Sequence, residues 1–326
     1  MSHSLLETKA LRKYFPAKSG AFGKSRVLKA VDGVDLRLDA GETLGLAGES
    51  GCGKSTVAKL IMGLIPPSDG AVHFRGTALS ELTKEERFSF RKDVQMIFQD
   101  PFSALNPRMR VGEIIGEPLT IHGIASGTER RHRVLQLMAK VGLSEEQFSR
   151  YPHEFSGGQR QRIGIARALA VAPRLIIADE PVSALDLSIQ AQIINLLQEL
   201  KEEFSLSFLF IAHDLSVVRH VSDRIAIMYL GKIVEMGARD VVFSRLLHPY
   251  TEALLSAIPH TKPETEKKRI ILRGDLPSPL APPGGCPFHT RCPYVEPPLC
   301  TDVPPPLEEK EPGHLAACHF SHKLFR

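Results

Sequence analysis

One short segment constrains the fold of this 326-residue chain more than any other. Its sequence is Gly48-Glu49-Ser50-Gly51-Cys52-Gly53-Lys54-Ser55. Gly48 and Gly53 bracket four residues, and Lys54 and Ser55 follow the second glycine. Such glycines let backbone N–H groups face phosphate oxygens, and the helix that follows adds the positive end of its dipole. Residues 43–47 are typical of a buried strand, and 54–64 have helical spacing. The order strand, loop, helix predicts an α/β fold that binds a nucleotide.

The chemistry of this loop gives its residues separate roles. Lys54 supplies a positive charge to the phosphates, and the Ser55 hydroxyl is placed to bind Mg²⁺. Cys52 is interpreted as a small loop residue without chemistry of its own. The predicted nucleotide contacts are Gly48, Ser50, Gly51, Cys52, Gly53, Lys54, Ser55 and Thr56.

Composition excludes some classes of function. The 41 Lys and Arg residues exceed the 37 Asp and Glu residues by four, which is too small an excess to predict a nucleic-acid partner. No stretch approaches the roughly 20 apolar residues that a membrane span requires. The polar beginning Met1-Ser2-His3-Ser4 lacks a secretory signal pattern. We therefore expect a protein that stays in the cytosol and binds no nucleic acid.

A second part of the sequence predicts a βαβ unit. Residues 175–178 and 207–212 are short apolar runs of the kind found in buried parallel strands, and 189–203 has the pattern of an amphipathic helix. Between the loop and this unit, residues 101–172 are mostly helical in pattern and are interpreted as a helical insertion.

Asp179 and Glu180 directly follow the first of these apolar runs. Alone, such a pair would more often lie in a solvated loop. With a phosphate loop upstream, two carboxylates at a strand end suit Mg²⁺ and water. Asp179 is predicted to hold the metal, often through water, and Glu180 to act as general base toward the attacking water.

Ser156-Gly157-Gly158-Gln159 begins another predicted helix, with Ser156 as a natural N-cap. Two glycines would expose backbone N–H groups and form a second anion site. One nucleotide needs only one phosphate loop, so a second site favours contact with a nucleotide held by another subunit. A plain flexible turn is the alternative.

Taken together, these motifs resemble the ATP-binding cassette (ABC) superfamily over about residues 5–260. In family order they are the phosphate loop (Gly48 to Thr56), the glutamine loop (Gln99 in Ile97-Phe98-Gln99-Asp100-Pro101), the signature (Ser156 to Gln159), Asp179-Glu180, Ser183-Ala184-Leu185-Asp186 and His213. The implied fold is a P-loop α/β core with a helical subdomain at about 101–172.

The resemblance also implies a head-to-tail dimer that clamps ATP between the phosphate loop of one subunit and the signature of the other. Ser156 and Gly158 would then act on the partner's nucleotide, with Gly157 and Gln159 beside them. Gln99 would contact Mg²⁺ and couple the γ-phosphate to a transmembrane partner. His213 would contact that phosphate as a catalytic residue, and Asp186 would lie at the dimer seam. Phe15, or alternatively Tyr14, would stack on adenine.

The C-terminal third narrows the resemblance. The segments His248-Pro249-Tyr250-Thr251, Gly274 to Pro279, Cys286-Pro287-Phe288-His289 and Arg291-Cys292-Pro293 resemble the ATPase subunits of oligopeptide/dipeptide importers. This implies residues 1–260 as the nucleotide-binding domain and 261–326 as a Cys/Pro-rich C-terminal module. The implied partners are a paralogous ATPase subunit, two transmembrane permease subunits and an extracytoplasmic substrate-binding protein. The implied location is peripheral, at the cytoplasmic face of the inner membrane.

Four of the five cysteines, Cys286, Cys292, Cys300 and Cys318, lie in a proline-rich tail that has too few large apolar residues for a core of its own. So many prolines also argue against helices or central strands there. The cysteine spacing matches no standard finger or ferredoxin, so four thiolates would suit Zn²⁺ or an iron–sulfur cluster. The resemblance favours a [4Fe-4S] cluster. His289, His314 and His319 are substitute ligands, and free thiols are the remaining alternative.

The sequence thus predicts an ATPase that powers peptide import. Nickel or glutathione import stays open, because specificity resides in other subunits. A soluble, non-transport ABC ATPase and a non-catalytic nucleotide-binding subunit are the rival classes. The first usually carries fused cassettes or long coiled coils, and the second commonly lacks residues equivalent to Glu180 or His213.

Overall fold

We analysed a computed structural model that describes residues 4–17, 26–257, 270–272 and 274–324. The sequence predicts a surface hairpin or a partner contact for Pro16 to Arg26 and a charged linker for Lys262 to Arg269. The first stretch lies largely, and the second wholly, outside the described residues. The chain forms two compact units. Of the described residues, the first comprises 38–43 and 81–211, and the second comprises 4–17, 26–37, 44–80, 212–257, 270–272 and 274–324. The proposed domain boundary near 260 lies among residues that are not described.

The strands are, in chain order, β1 (Leu6–Ala17), β2 (Arg26–Leu38), β3 (Thr43–Ala47), β4 (Asp69–Phe74), β5 (Thr77–Ala78), β6 (Val94–Ile97), β7 (Leu175–Asp179), β8 (Ser207–Ala212), β9 (Arg224–Tyr229), β10 (Lys232–Ala238), β11 (Glu308–Glu311) and β12 (His314–Ala316).

The α-helices are α1 (Lys54–Ile61), α2 (Lys84–Asp93), α3 (Pro101–Ala104), α4 (Val111–Ile121), α5 (Gly127–Lys140), α6 (Gly157–Leu169), α7 (Leu187–Phe204), α8 (Leu215–Val221), α9 (Arg239–Ser244), α10 (Pro249–Ser256), α11 (Leu299–Asp302) and α12 (Ser321–Leu324). Two 3₁₀ turns cover Glu145–Ser149 and Pro152–Glu154. None of the helices in the described ranges is long and apolar enough to cross a membrane.

In the first unit, three parallel strands carry the predicted βαβ arrangement. Strand β7 pairs with β6 on one side and with β8 on the other, and α7 connects β7 to β8. Every residue of β7 and β8 is buried, which explains their uninterrupted apolar sequences. The α/β prediction for this part of the chain is confirmed.

The stretch predicted to be a helical insertion contains α3 to α6. Helix α4 packs against both α5 and α6, and its core side chains include Ile114, Ile115 and Leu119. From α5 come Val134 and Met138, which are fully buried at the helical spacing that the sequence showed. The helical interpretation of this stretch is confirmed.

The second unit contains two sheets. In one, β1 pairs antiparallel with β4, and the strand order is β2, β1, β4, β5. In the other, β3 runs parallel to β9, and β9 pairs antiparallel with β10. All five residues of β3 are buried, and α1 begins seven residues after this strand ends. The predicted order of strand, loop and helix is therefore confirmed.

The tail corrects the expectation that its prolines exclude helices and central strands. It forms the short helices α11 and α12, because no proline lies inside either helix. It also forms a central strand, because β12 pairs with β10 on one side and with β11 on the other. The prolines permit this since Pro304 to Pro306 precede the hairpin and Pro312 lies in its turn, leaving the N–H donors of the strands intact. Nor does the tail need a separate apolar core, since Phe288 is buried among residues of the second unit.

Candidate functional site: the phosphate loop and the carboxylate pair

The phosphate loop joins β3 to α1 in the second unit. The ammonium group of Lys54 donates hydrogen bonds to the carbonyl oxygens of Gly48 at 2.7 Å and Glu49 at 3.0 Å. Lys54 is 4% exposed, so its charge is held inside the curve of the loop. Ser55 and Thr56 lie in the first turn of α1, half-buried. This geometry concentrates positive charge where phosphates would bind.

Two glycines of the loop are required by close backbone approach. Gly48 has φ 154° and Gly53 has φ 114°. A Cβ on Gly48 would lie 2.2 Å from the Met228 carbonyl oxygen, and a Cβ on Gly53 would lie 2.2 Å from the Ala30 carbonyl oxygen. Any side chain at either position would displace backbone, so the loop shape depends on both glycines.

Cys52 is buried in the loop, and burial raises the pKa of its thiol. Its carbonyl oxygen accepts a hydrogen bond from Gly231 N at 2.8 Å. The residue therefore fills space and anchors backbone, as its interpretation as a small loop residue predicts. A reactive thiolate is not favoured at this position.

In the first unit, Asp179 ends β7 and Glu180 follows it. Both are buried, at 5% and 9% exposure. Glu180 has φ 46°, a left-handed conformation that costs a non-glycine residue energy. Gln99, just beyond β6, donates a hydrogen bond from its side-chain amide to the Glu180 carboxylate at 3.0 Å. Two residues predicted to act on the same phosphate are thus in direct contact.

The signature segment forms a capping box at the start of α6. The Ser156 hydroxyl accepts from Gln159 N at 3.3 Å, and the Gln159 side chain accepts from Ser156 N at 3.1 Å. A Cβ on Gly158 would lie 2.5 Å from Ile189, so only glycine fits beside α7. Ser156 is exposed, while Gly157 is half-buried. The predicted N-cap is therefore present, and the proposed contact of this segment with a nucleotide stays a prediction.

Asp186 is the N-cap of α7. Its carboxylate accepts from Ile189 N at 3.0 Å and from the Ser188 hydroxyl at 2.7 Å. These bonds, the backbone one foremost, lower the pKa of Asp186 below its usual value. His213 comes directly after β8 in the chain, belongs to the second unit and is exposed. These positions leave the roles predicted for Asp186 and His213 untested.

The two candidates for adenine stacking differ in their surroundings. Phe15 is 36% exposed, with the Lys13 ammonium 5.2 Å from the ring centroid. Tyr14 donates its hydroxyl to the Asp32 carboxylate at 2.5 Å, and burial together with this bond raises the pKa of Tyr14 to about 12. Phe15 therefore offers the freer ring face, while Tyr14 is held by a polar partner.

The four tail cysteines line one cavity of about 20 Å³, together with His248, His289 and His319. Burial, aided by the neighbouring thiols, raises the pKa of Cys286 to about 12 and of Cys292 to about 11. Even so, within the described residues no group of three or more His, Cys, Asp or Glu side chains is arranged to hold a metal ion. His314 lies elsewhere, bonded to the buried Glu235 carboxylate at 2.8 Å.

Sequence reasoning missed two residues that contact the phosphate loop. The Arg291 guanidinium, from the tail, pairs with the Glu49 carboxylate through two hydrogen bonds of 2.7 and 3.1 Å. The Tyr250 hydroxyl accepts a hydrogen bond from Glu49 N at 2.8 Å. Burial opposes the charge of Arg291, but Glu49 and Tyr229 outweigh it and raise the pKa of the guanidinium. Both residues, Arg291 and Tyr250, lie in segments that carried the family resemblance, but nothing in those segments indicated contact with the phosphate loop.

Two models of known protein families match this chain. A family model described as "ABC transporter" matches residues 31–183, and one described as "Oligopeptide/dipeptide transporter, C-terminal region" matches 234–300. The first contains the phosphate loop, Gln99, the signature and the carboxylate pair. The second contains Cys286, Arg291, Cys292 and Cys300. The resemblance to ABC ATPases and the resemblance of the tail to oligopeptide/dipeptide importers are therefore each matched by a family model.

Relatives cover nearly the whole chain. The oligopeptide transport ATP-binding protein AppF of Bacillus subtilis is 54% identical over 97% of each chain. The oligopeptide transport ATP-binding protein OppF of Escherichia coli is 56% identical over 93% of this chain and 92% of its own. A solved dimeric ATP-binding cassette bound to ADP and Pi superposes with a TM-score of 0.64 at 32% identity, covering 72% of this chain and 98% of its own. The chain therefore belongs to the oligopeptide/dipeptide family of ABC transporter ATP-binding subunits, ATPases that couple ATP hydrolysis to transport.

Proposed function

We propose that this chain powers the import of peptides. The observation that carries the proposal is the 54% identity to AppF, because it extends over 97% of both chains and so includes the tail. The relatives are named for oligopeptide or dipeptide transport. Nickel and glutathione remain alternative cargoes because substrate is chosen by other subunits.

The proposed chemistry gives each of the predicted site residues a role. Lys54 and the loop backbone bind the phosphates of ATP, and Phe15 stacks on adenine. Glu180 accepts a proton from the water that attacks the γ-phosphorus, while the bond from that phosphorus to the bridging oxygen breaks and ADP leaves. Gln99 orients Glu180 through the hydrogen bond of 3.0 Å. His213 contacts the γ-phosphate.

Mg²⁺ fits the donor set proposed for it. Ser55, Asp179 and Gln99 supply hydroxyl, carboxylate and amide oxygens, the ligand types that this ion prefers. When bound, Mg²⁺ would neutralise charge that develops on the phosphate oxygens.

We further propose that the chain works as one of two ATPase subunits facing each other head to tail. Ser156, Gly157, Gly158 and Gln159 would contact the partner's nucleotide, and Asp186 would lie at the seam. The capping box at Ser156 supports this, since it orients the exposed Ser156 hydroxyl, which can donate its own proton to an anion while it accepts from Gln159 N. The remaining proposed partners are a paralogous ATPase, two permease subunits and an extracytoplasmic binding protein, with this chain at the cytoplasmic face of the inner membrane.

For the tail we propose a domain of residues 261–326 in which Cys286, Cys292, Cys300 and Cys318 bind a [4Fe-4S] cluster, with Zn²⁺ as the alternative. Support comes from the single cavity that all four thiols line. Zn–S bonds of about 2.3 Å would require tightly grouped sulfurs. Against both metals stands the finding that the described residues have no group of three or more His, Cys, Asp or Glu side chains arranged to hold an ion. Anaerobic purification with an absorbance scan and metal assay decides this, since a colourless, zinc-loaded protein would exclude the cluster.

The function is tested by reconstituting the chain with its membrane partners in vesicles. We expect slow hydrolysis by the isolated chain and much faster hydrolysis in the complex, because isolated subunits close poorly over ATP. Uptake of labelled di- and oligopeptides should depend on ATP, whereas labelled nickel and glutathione should stay outside. The proposal would be contradicted if the isolated chain hydrolysed ATP as fast as the complex does. It would also be contradicted if the vesicles took up nickel or glutathione but no peptide.

A further inference from the structure

Outside the residues assigned so far, one side chain of the tail reaches the phosphate loop. The Arg291 Nη1 and Nη2 atoms donate to the two different carboxylate oxygens of Glu49, at 2.7 and 3.1 Å. The Arg291 side chain is 9% exposed and that of Glu49 is 27% exposed. A two-pronged, largely buried pair of this kind fixes orientation as well as distance.

The backbone of Glu49 is held as firmly as its side chain. Its N–H group donates to the Tyr250 hydroxyl at 2.8 Å, and its carbonyl oxygen accepts from the Lys54 ammonium at 3.0 Å. The same carbonyl oxygen also accepts from Cys52 N at 3.3 Å. Every polar part of Glu49 is therefore engaged, and two of its four partners, Arg291 and Tyr250, lie outside the phosphate loop.

The outside partners rest on a rigid base. Tyr250 packs against Tyr229 with ring centroids 4.7 Å apart, and both rings contact Phe288 at 5.4 and 5.3 Å. All three rings are at most 1% exposed. Phe288 precedes Arg291 by three residues, so the segment that carries the arginine is anchored in an apolar cluster.

Anchoring Glu49 would affect the phosphate loop in two ways, through its backbone shape and through its charge. Gly48 and Gly51 occupy positive φ and have no side chains to hold the loop in place. Glu49 also brings a negative charge into a loop that binds polyphosphate. A guanidinium on that carboxylate both fixes the loop and neutralises a charge that would repel the nucleotide.

We propose that Arg291 is a positioning residue for ATP binding, which acts by holding Glu49 and thereby the N–H groups of the phosphate loop. It touches no substrate itself. The proposal assigns to the tail a part in nucleotide binding that does not depend on whether the tail cysteines hold a metal.

The test is the affinity of the full-length chain for a fluorescent ATP analogue and for ATP in competition. Arg291→Ala should weaken binding about tenfold, because a charge-assisted pair is lost and a carboxylate is left unpaired. Arg291→Lys should recover only part of the loss, since one ammonium cannot match both oxygens. In the assembled transporter the Arg291→Ala loss should appear mainly in KM, with kcat retained. Arg245→Ala is the matched control, because it removes a 2.8 Å pair to Glu311 elsewhere in the tail.

A double variant separates positioning from simple charge balance. If Arg291 acts through Glu49, then Glu49→Ala with Arg291→Ala should bind ATP no more weakly than the worse single variant, and not as well as the wild type. Affinity within twofold of wild type for Arg291→Ala, or effects that add in the double variant, would overturn the proposal. Circular dichroism and the unfolding temperature exclude global unfolding. Should Arg291→Ala fail to fold, Glu49→Gln breaks the same pair with little change in size and must also weaken binding.

Discussion

The Gln99 side-chain amide donates a hydrogen bond to the Glu180 carboxylate at 3.0 Å, joining two residues that are 81 positions apart in the chain. Glu180 is buried and held in a left-handed backbone conformation. A carboxylate fixed in this way has few alternative orientations. Its proposed role as general base can therefore be tested separately from that of the residue that orients it.

Glu180→Gln should abolish most hydrolysis while leaving ATP bound. The amide keeps the size of the side chain and can still accept from Gln99, but it cannot take a proton from water. We expect kcat of the assembled transporter to fall on the order of a hundredfold or more. Phosphate release under single-turnover conditions measures this, with Glu199→Gln on the exposed face of α7 as control. Intact hydrolysis would mean that another group is the base.

Gln99→Ala should lower kcat about tenfold with a smaller change in KM, because the Glu180 carboxylate loses the donor that orients it. Steady-state hydrolysis by the reconstituted complex measures both constants. Gln95→Ala is the matched control, since that amide bonds the Arg91 carbonyl oxygen one turn back and lies on β6. A rise in KM with kcat unchanged would show that Gln99 binds nucleotide rather than orienting Glu180.

Lys54→Ala should weaken ATP binding about a hundredfold and abolish uptake by the assembled carrier. The substitution removes the ammonium group, which binds the phosphates and also donates to the carbonyl oxygens of Gly48 and Glu49. Titration with a fluorescent ATP analogue and vesicle uptake measure the two effects. Lys59→Ala, exposed on the same helix, controls for loss of a positive charge. Undiminished uptake would refute the assignment of the loop.

Asp32→Asn should destabilise the protein near neutral pH and less so in acid. Burial opposes ionisation of Asp32, but bonds from Tyr14 and Lys232 and the charge of Lys29 outweigh it, so the pKa of Asp32 lies below its usual 3.8. Since the folded pKa is lowered, the stabilisation is present above 3.8 and is lost as the pH falls through the folded value.

Thermal unfolding from pH 7 down to pH 3 tests this prediction. The unfolding temperature of Asp32→Asn should be about 3 °C below wild type at pH 7, and the gap should close below the carboxyl pKa. If the difference in unfolding temperature were constant over the whole pH range, Asp32 would contribute packing or hydrogen bonding but no charge interaction with Lys29 and Lys232.

Local chemistry of the sequence determined much of this protein. The glycine-rich loop, Lys54, the capping residue Ser156 and the buried strand before Asp179 were all predictable, because each depends on neighbours close in the chain. The apolar periods of α5 and α7 likewise predicted the faces that these helices bury. Such patterns predict which face of a helix is buried, but they do not identify the element that packs against it.

Tertiary structure alone decided the partners. Arg291 and Glu49 are 242 residues apart, and Gln99 meets Glu180 across two adjacent strands whose order no local pattern encodes. The prolines of the tail suggested a segment without central strands, yet their placement outside the strands and in the turn let β12 join β10. A sequence fixes what each residue can bond to, whereas the fold brings distant residues into contact, because closing a long loop is compensated only when many such contacts form together.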